Sequence, residues 1–219
     1  MVGVPIGNLE DITLRALRIL SEVSAIVCED TRQTIKILNH HRIKNRLVAL
    51  HGYSSHERAD SIIAGADGDI AYVSDAGTPN ISDPGAVLVS AARMAGWDVL
   101  PVPGPSALGG VLSISSVSPR SVTFEGFLSP KQGRRKRRLQ ELADSGNSVV
   151  LYESPHRVVK MLRDLAEISP DCMVLVAREM TKKFEEYLEL PVREAYEVYE
   201  TRASIKGEFT ILVTFPKNS

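Results

Sequence analysis

Residues with the means to do chemistry gather in a few short irregular stretches of this chain. "VSDAGTPNISDPG" (73–85) sets two Ser-Asp pairs, a Thr and several Gly and Pro residues at the end of the apolar run Ile70–Val73. "PIGN" (5–8), "EDTR" (29–32), "HGYSS" (51–55) and "PGPSA" (103–107) follow apolar runs in the same way. Each stretch falls at the carboxyl end of a predicted strand, and open parallel sheets bind ligands in the crevice outside those ends. A lone Gly-rich turn is ordinary punctuation, whereas five at one sheet edge point to a small-molecule site. Neither G-x-x-x-x-G-K-[ST] nor G-x-G-x-x-G occurs, so a P-loop or dinucleotide cradle has no support. Backbone N–H and C=O groups beside small side chains suit a flat, polar, adenosine-like ligand held close to the chain. Asp75 and Asp83 read ribose or amine groups in this view, or else cap turns. For Asp83, before Pro84 at a predicted helix start, capping is the expectation.

Strands alternating with helices must position these stretches. Apolar, β-branched runs recur at Ala25–Cys28, Leu47–Leu50, Ile70–Val73 and Val99–Val102, with helical periodicity between most of them. That alternation predicts a mostly parallel sheet. Asp11 is the expected N-cap of the first helix, and Gly96 in "MAGWDV" the residue past the end of a later one. Beyond "SSVSPRS" (115–121) the pattern restarts with Val122–Phe127, Ser148–Tyr152, Met173–Ala177, Glu186–Leu190 and Phe209–Thr214, the last two expected to pair antiparallel. Two α/β domains follow, 1–114 with the polar loops and 115–219 with a mixed sheet.

Composition narrows the partners. With 26 basic and 27 acidic residues, the net charge of −1 offers no global attraction to nucleic acid or membrane. Positive charge is concentrated in "KQGRRKRR" (131–138), without which 20 basic residues face 27 acidic ones. Most charge runs are solvated faces; here the acidic remainder makes the run the natural seat for an RNA backbone. The run is expected to span a flexible loop and the first turns of a helix. Cys28 and Cys172 lie in apolar runs and read as buried thiols of a reducing compartment. The five histidines show no metal-ligand spacing, so no metal is expected. "MVGVPIGN" has no signal-peptide pattern, and a soluble, cytoplasmic protein is expected.

"VPIGNLEDITLRAL", "CEDTR", "VSDAGTP", "ISDPG", "PGPSA", "FEGF", "YESPHR", "VAREMTK" and "KGEF", in this order along nearly the whole chain, closely resemble the tetrapyrrole-methylase superfamily, and within it the branch acting on small-subunit ribosomal RNA. The resemblance implies a homodimeric, two-domain S-adenosylmethionine enzyme with its cofactor in the interdomain cleft. It implies methylation of the ribose 2′-OH of a cytidine in 16S rRNA at the decoding centre of the small ribosomal subunit. The cofactor would lie against Pro5, Ser74, Asp75, Gly77, Thr78, Ser106 and Ala107, with Phe127, Tyr152, Ala177 and Gly207 completing its pocket.

Methyl transfer from a sulfonium to a hydroxyl needs no metal, and positioning dominates it. A protonated ribose hydroxyl is a poor nucleophile, so a carboxylate or Lys beside it helps; the candidates are Asp30, Glu153, Glu179 and Lys182. Arg32, Arg157 and Arg178, with Arg134, Arg135, Arg137 and Arg138 of the basic run, are candidates for RNA phosphates. For any one of the lone Arg and Glu residues, pairing with each other is an equal alternative. Departures from the family pattern are Asn80 where Gly is expected, Phe184 where His is expected, and Ser129-Pro130 before the basic run. Two other functions stay open: a methyltransferase of a small substrate such as a tetrapyrrole precursor, and a non-catalytic RNA-binding assembly factor.

Overall fold

Strand β1 (Ala25–Cys28), buried along its whole length, is the centre of the first of two units into which the chain divides, Met1–Ser106 and Ala107–Ser219. The structure is a computed structural model and describes residues 1–51 and 55–216; the middle of the "HGYSS" turn lies outside the described residues. β2 (Leu47–Ala49) and β3 (Ile70–Val73) flank β1 in the parallel order β2-β1-β3. Alternate residues point to opposite faces. Ile26 and Cys28 meet Ala16 and Leu20 of α1 (Leu14–Glu22) and Ile37 and Leu38 of α2 (Thr31–His40). Val27 and Tyr72 meet Ala59, Ile62 and Ile63 of α3 (His56–Ala64) and Leu88, Ala91 and Ala92 of α4 (Ala86–Met94).

Val99–Val102, expected as a strand, forms only the isolated parallel bridge Val2↔Val102. Pro101 and Pro103 flank Val102 and have no N–H to extend a ladder. The first helix is capped by Thr13, whose Oγ1 accepts from Ala16 N–H at 3.0 Å; Asp11 instead closes a 3-10 turn at Leu9–Asp11. Asp83 does not cap α4, whose N-cap is Gly85. Gly96 does end that helix with φ +80, donating to Arg93 C=O while Trp97 N–H reaches Ala92 C=O.

The second unit is a five-stranded sheet in the order β4-β5-β8-β6-β7: β4 (Val122–Phe127), β5 (Ser148–Glu153), β6 (Met173–Arg178), β7 (Glu186–Pro191) and β8 (Phe209–Thr214). Only β4 and β5 run parallel; the other three pairings are antiparallel. β7 and β8 do not pair, contrary to expectation. β8 is apolar on both faces, sending Phe209, Ile211 and Val213 to one cluster and Leu212 to another, so it is buried between β5 and β6. β7, "EYLELP", carries glutamates and ends in Pro, which suits an edge. α6 (Gln132–Asp144), α7 (Val158–Ile168) and α8 (Val192–Glu200) cover one face. α5 (Ala107–Ser113) packs Val111 against Val150, Leu175 and Leu212 on the other. The chain therefore divides before α5, and not near residue 114.

The basic run is helical from Gln132 onward, and part of it is structural. Arg135 is only 4% exposed; its Nη2 and Nε lie 2.6 and 2.8 Å from Oδ2 of the fully buried Asp164 on α7, and Nη1 donates to Pro130 C=O. Gln132 Nε2 satisfies Asp164 Oδ1 at 3.2 Å. Removing one member of such a pair strands a buried charge. Asp164→Ala is expected to lower the unfolding free energy by roughly 3–5 kcal/mol in urea titrations, and the double variant Arg135→Met/Asp164→Leu to recover much of it.

Candidate active site

Three of the polar stretches are knitted together by backbone contacts in the first unit. Val4 and Gly77 exchange N–H···O=C bonds of 3.0 and 3.1 Å, joining "PIGN" to "SDAGTP". Gly3 N–H donates to Val102 C=O at 3.0 Å, and Thr78 Oγ1 donates to Pro105 C=O at 3.0 Å, adding "PGPSA". Gly3 and Gly104 touch backbone to backbone: a Cβ on either would lie 2.8 Å from main-chain atoms of the other. Gly77 holds φ +76, and a Cβ there would press 3.2 Å from Ile6 Cγ2. Asn80, where the pattern expects Gly, sits at φ +70, a conformation Asn tolerates.

Charged groups around these loops are partly committed to structure. Asp75 is exposed and accepts from Asp30 N–H at 3.0 Å, tying "EDTR" to the same edge. Asp30 caps α2 through Arg32 N–H and receives the Arg32 guanidinium at 2.7–3.1 Å. The side-chain bonds from Arg32, then its backbone N–H, bring the Asp30 carboxyl down to about 2. So weak a base has little pull on a hydroxyl proton. Ser74, 1% exposed, donates to Ala76 C=O. Burial pushes Asp83 up against the lowering effect of the Ser74 hydroxyl, with Asp75 adding to the rise. Burial, followed by Asp75 and Asp83, also raises Glu29, which the motif reading passed over. Among the described residues no cluster of His, Cys, Asp and Glu could hold a metal ion.

The second unit holds the remaining candidates. Glu153, 3% exposed, takes Arg157 Nε and its neighbour's Ser154 N–H on the same oxygen, each at 2.7 Å. That is the paired alternative: it buries Glu153 away from proton transfer and commits the partly exposed Arg157 to Glu153 and to Leu128 C=O. Phe127 is 58% exposed and meets Tyr152 edge to face, whereas Ala177 is buried against Val150, Leu175 and Leu212.

Glu179, Lys182 and Gly207 do come together. Glu179 has φ +52; its Oε1 accepts from Lys182 Nζ and from Glu208 N–H, both at 2.9 Å. Lys182 Nζ also reaches Glu208 Oε2 at 2.8 Å. Gly207, at φ +97, gives the carboxylate its space, since a Cβ there would sit 2.3 Å from Glu179 Cγ. Burial acts to raise Glu179, but the bonds from Lys182 and Glu208 N–H, with Arg178 nearby, hold it below its ordinary range. Burial acts to lower Lys182, and its two carboxylate partners hold it above its ordinary range instead. Lys182 is thus an ammonium and not a base, a correction to its candidacy. Glu179 Oε2 keeps no hydrogen bond among the described residues, and the residue lines a cavity of 560 Å³.

Arg178 donates Nη1 to Lys206 C=O at 3.3 Å and lies 3.6 Å from Glu186, while its Nε is buried without a partner among the described residues. Glu186 is clamped by Arg202 at 2.9 and 3.1 Å and by Tyr199 Oη at 2.7 Å. No motif announced Glu186 or Arg202; the register of β7 beside β6 pairs Glu186 with Arg178 and brings them in. In the basic run Arg138 is held by Glu125 and Glu141, and Lys136 by Glu167. Arg135 is buried and leaves the RNA-binding set. Arg134 and Arg137 are exposed and carry no ion pair among the described residues, and the Arg32 side chain is 87% exposed despite its bond to Asp30.

A parallel α/β unit with knitted polar loops, followed by a mixed-sheet unit with a carboxylate beside a cation-lined cavity, has counterparts of known class. The chain belongs to the tetrapyrrole (corrin/porphyrin) methylases, whose family model matches residues 1–196. It is 42% identical over 217 residues to the ribosomal RNA small subunit methyltransferase I of Borrelia garinii subsp. bavariensis, covering 98% of this chain and 97% of that protein. It is 43% identical over 216 residues to the protein of that name from Thermotoga maritima, covering 98% and 96%. A solved cobalt precorrin-4 methyltransferase shares the fold, with a TM-score of 0.68 at 16% identity over 97% of this chain and 92% of that one.

Membership implies S-adenosylmethionine as methyl donor. The first-unit loops fit such a group: Gly3 and Gly104 let two loop backbones touch and Gly77 turns at positive φ against Ile6, which holds the polar loops together and fixes their remaining main-chain N–H and C=O groups at the strand ends. Gly104→Ala must part the Gly3 contact. It is expected to weaken S-adenosylmethionine binding about tenfold or more by calorimetry, with a stability loss of roughly 1–3 kcal/mol.

Proposed function

We propose that this chain methylates the ribose 2′-hydroxyl of a cytidine in small-subunit ribosomal RNA at the decoding centre. The observation that carries the RNA substrate is the end-to-end identity of 42–43% with proteins named for that RNA, against 16% with the precorrin methyltransferase, which supports the fold alone. With this reading go the small ribosomal subunit as partner, a cytoplasmic location and a homodimeric state, all inferred from the resemblance.

When bound, S-adenosylmethionine supplies an electrophilic methyl group with a neutral thioether as leaving group. Pro5, Ser74, Asp75, Gly77, Thr78 and Ser106 hold it from the first unit in this proposal, and Ala107, Phe127, Tyr152, Ala177 and Gly207 are assigned to it from the second. Glu179 accepts the 2′-hydroxyl proton on Oε2 while Lys182 and Glu208 N–H fix Oε1. Its depressed basicity makes proton removal a modest contributor, so orientation of the hydroxyl supplies most of the rate. Arg134 and Arg137 contact phosphates.

The test is tritium transfer from labelled S-adenosylmethionine into small subunits lacking 2′-O-methyl groups, with nuclease mapping of the product to one cytidine ribose. Glu179→Gln is expected to bind the cofactor normally and to lose about 10- to 10²-fold in kcat, at or below the low end for general-base catalysis because the carboxylate is a weak base. Lys182→Ala removes the charge that depresses Glu179, so the acid limb of kcat/KM is expected to move to higher pH. Arg134→Ala/Arg137→Ala is expected to flatten the salt dependence of RNA binding by about 0.7–0.9 in log–log slope per lost contact. An unchanged slope would make the run a solvated face.

A further inference from the structure

Phe184 is 68% exposed, more than Phe127 or Tyr187, and it stands in the wall of the 560 Å³ cavity that Glu179 also lines. A single exposed ring needs no explanation by itself. Its surroundings supply one. Arg178, Arg202 and Lys206 line the same cavity, and Lys183 Nζ lies 5.6 Å from the Phe184 ring centroid. Four carboxylates stand nearby: Glu186 between Arg178 and Arg202, Glu179 and Glu208 sharing Lys182, and Glu185 accepting from Thr181 N–H and Tyr187 Oη, so the cations Arg178, Lys182, Lys183, Arg202 and Lys206 outnumber them by one. Lys183 and Lys206 are exposed and have no ion pair among the described residues. An exposed aromatic ring with Lys183 over it and Lys206 in the same cavity wall complements a ligand that is flat and anionic by turns, which is the chemistry of single-stranded nucleic acid. The cavity is also within the size range that takes a small ligand of roughly nucleotide dimensions.

We propose that Phe184 is a stacking platform for one base of single-stranded RNA, with Lys183 and Lys206 on the flanking phosphates. Resting on the rRNA reading above, this makes Phe184 a positioning residue that holds the substrate strand beside Glu179. The aromatic face does what the polar ring expected at this position would do less well, since stacking tolerates any base and strengthens with ring area.

The test compares the full-length protein with Phe184→Ala, Phe184→Tyr and Phe184→Trp. The probe is a short fluorescent single-stranded oligoribonucleotide, used intact and with one abasic position, and S-adenosylmethionine affinity is measured alongside as a check on the first unit. Phe184→Ala is expected to weaken binding of the intact RNA about tenfold, with cofactor affinity unchanged. The Tyr and Trp variants should stay within about twofold of the parent, and the abasic RNA should lose most of its sensitivity to Phe184→Ala. Parent-like RNA binding by Phe184→Ala overturns the proposal, as does a Tyr variant as weak as the Ala variant. A loss confined to assembled subunits also overturns it, in favour of a ribosomal-protein contact. Methyl transfer by the unaltered protein is scored separately. RNA binding that depends on Phe184 without any transfer would sink the proposed reaction and keep the platform, whereas transfer with RNA binding indifferent to Phe184 would do the reverse.

Discussion

The contact between the backbones of Gly3 and Gly104 governs the first unit, because every polar loop assigned to the cofactor depends on it. With a Cβ on either residue calling for 2.8 Å from main-chain atoms, the amino-terminal segment and the "PGPSA" turn would have to separate. Separation would release the Gly3–Val102 bond and, one residue on, strain the reciprocal Val4–Gly77 pair. Those bonds hold "SDAGTP" at the end of β3, where Gly77 turns at positive φ. A loop anchored by main-chain bonds at both ends keeps its remaining N–H and C=O groups fixed, and fixed donors bind a small ligand without a large ordering cost.

A parallel constraint acts in the second unit, where Gly207 and Glu179 occupy space that one side chain more would close. The left-handed conformation of Glu179 is uncommon for a residue with a Cβ and costs of order 1–3 kcal/mol. Bonds from Glu208 N–H and Lys182 over-determine it. The result is a carboxylate held by one oxygen and free at the other, and such pre-setting is what an in-line displacement requires of its surroundings. The low basicity that accompanies these bonds is the consequence of the same contacts, so orientation and proton affinity are traded against each other at one residue.

Much of the charge that looks functional in the linear chain is structural in three dimensions. Arg135 with Asp164 ties α6 to α7 inside the core, Arg157 with Glu153 closes the end of β5, and Arg32 with Asp30 starts α2. The Arg135–Asp164 pair, buried on both sides, costs about as much desolvation as it returns in attraction, and it matters because breaking it leaves an uncompensated charge. Of the basic run, Lys131, Arg134 and Arg137 stay exposed without an ion pair among the described residues; the exposed Arg32, and Lys183 and Lys206 near Phe184, add to them.

The strands β1, β3 and β8 were legible in the sequence to their end residues, because a buried strand is a short apolar run bounded by turn residues; β4, a partly covered edge strand, was legible to its ends from its β-branched and aromatic residues. The convergence of "PIGN", "SDAGTP" and "PGPSA" was legible for the same reason: strand ends in a parallel sheet share an edge. The Asn80 turn was legible because positive φ admits few residue types. Strand order in the second unit was not, since the apolar run of β8 says that it is buried on both faces but not which strands flank it, and the pairing with β5 and β6 is made only in the fold. Nor was the division of the charged residues into pairs and free groups. Arg134 and Arg135 are neighbours in the chain, yet a helix turns successive residues about 100° apart, so one faces solvent and the other Asp164. Sequence alone determined which residue types stand at each strand end. Tertiary structure decided which of them still has an unshared atom, because a hydrogen bond is settled by distances of a few ångströms between groups far apart in the chain.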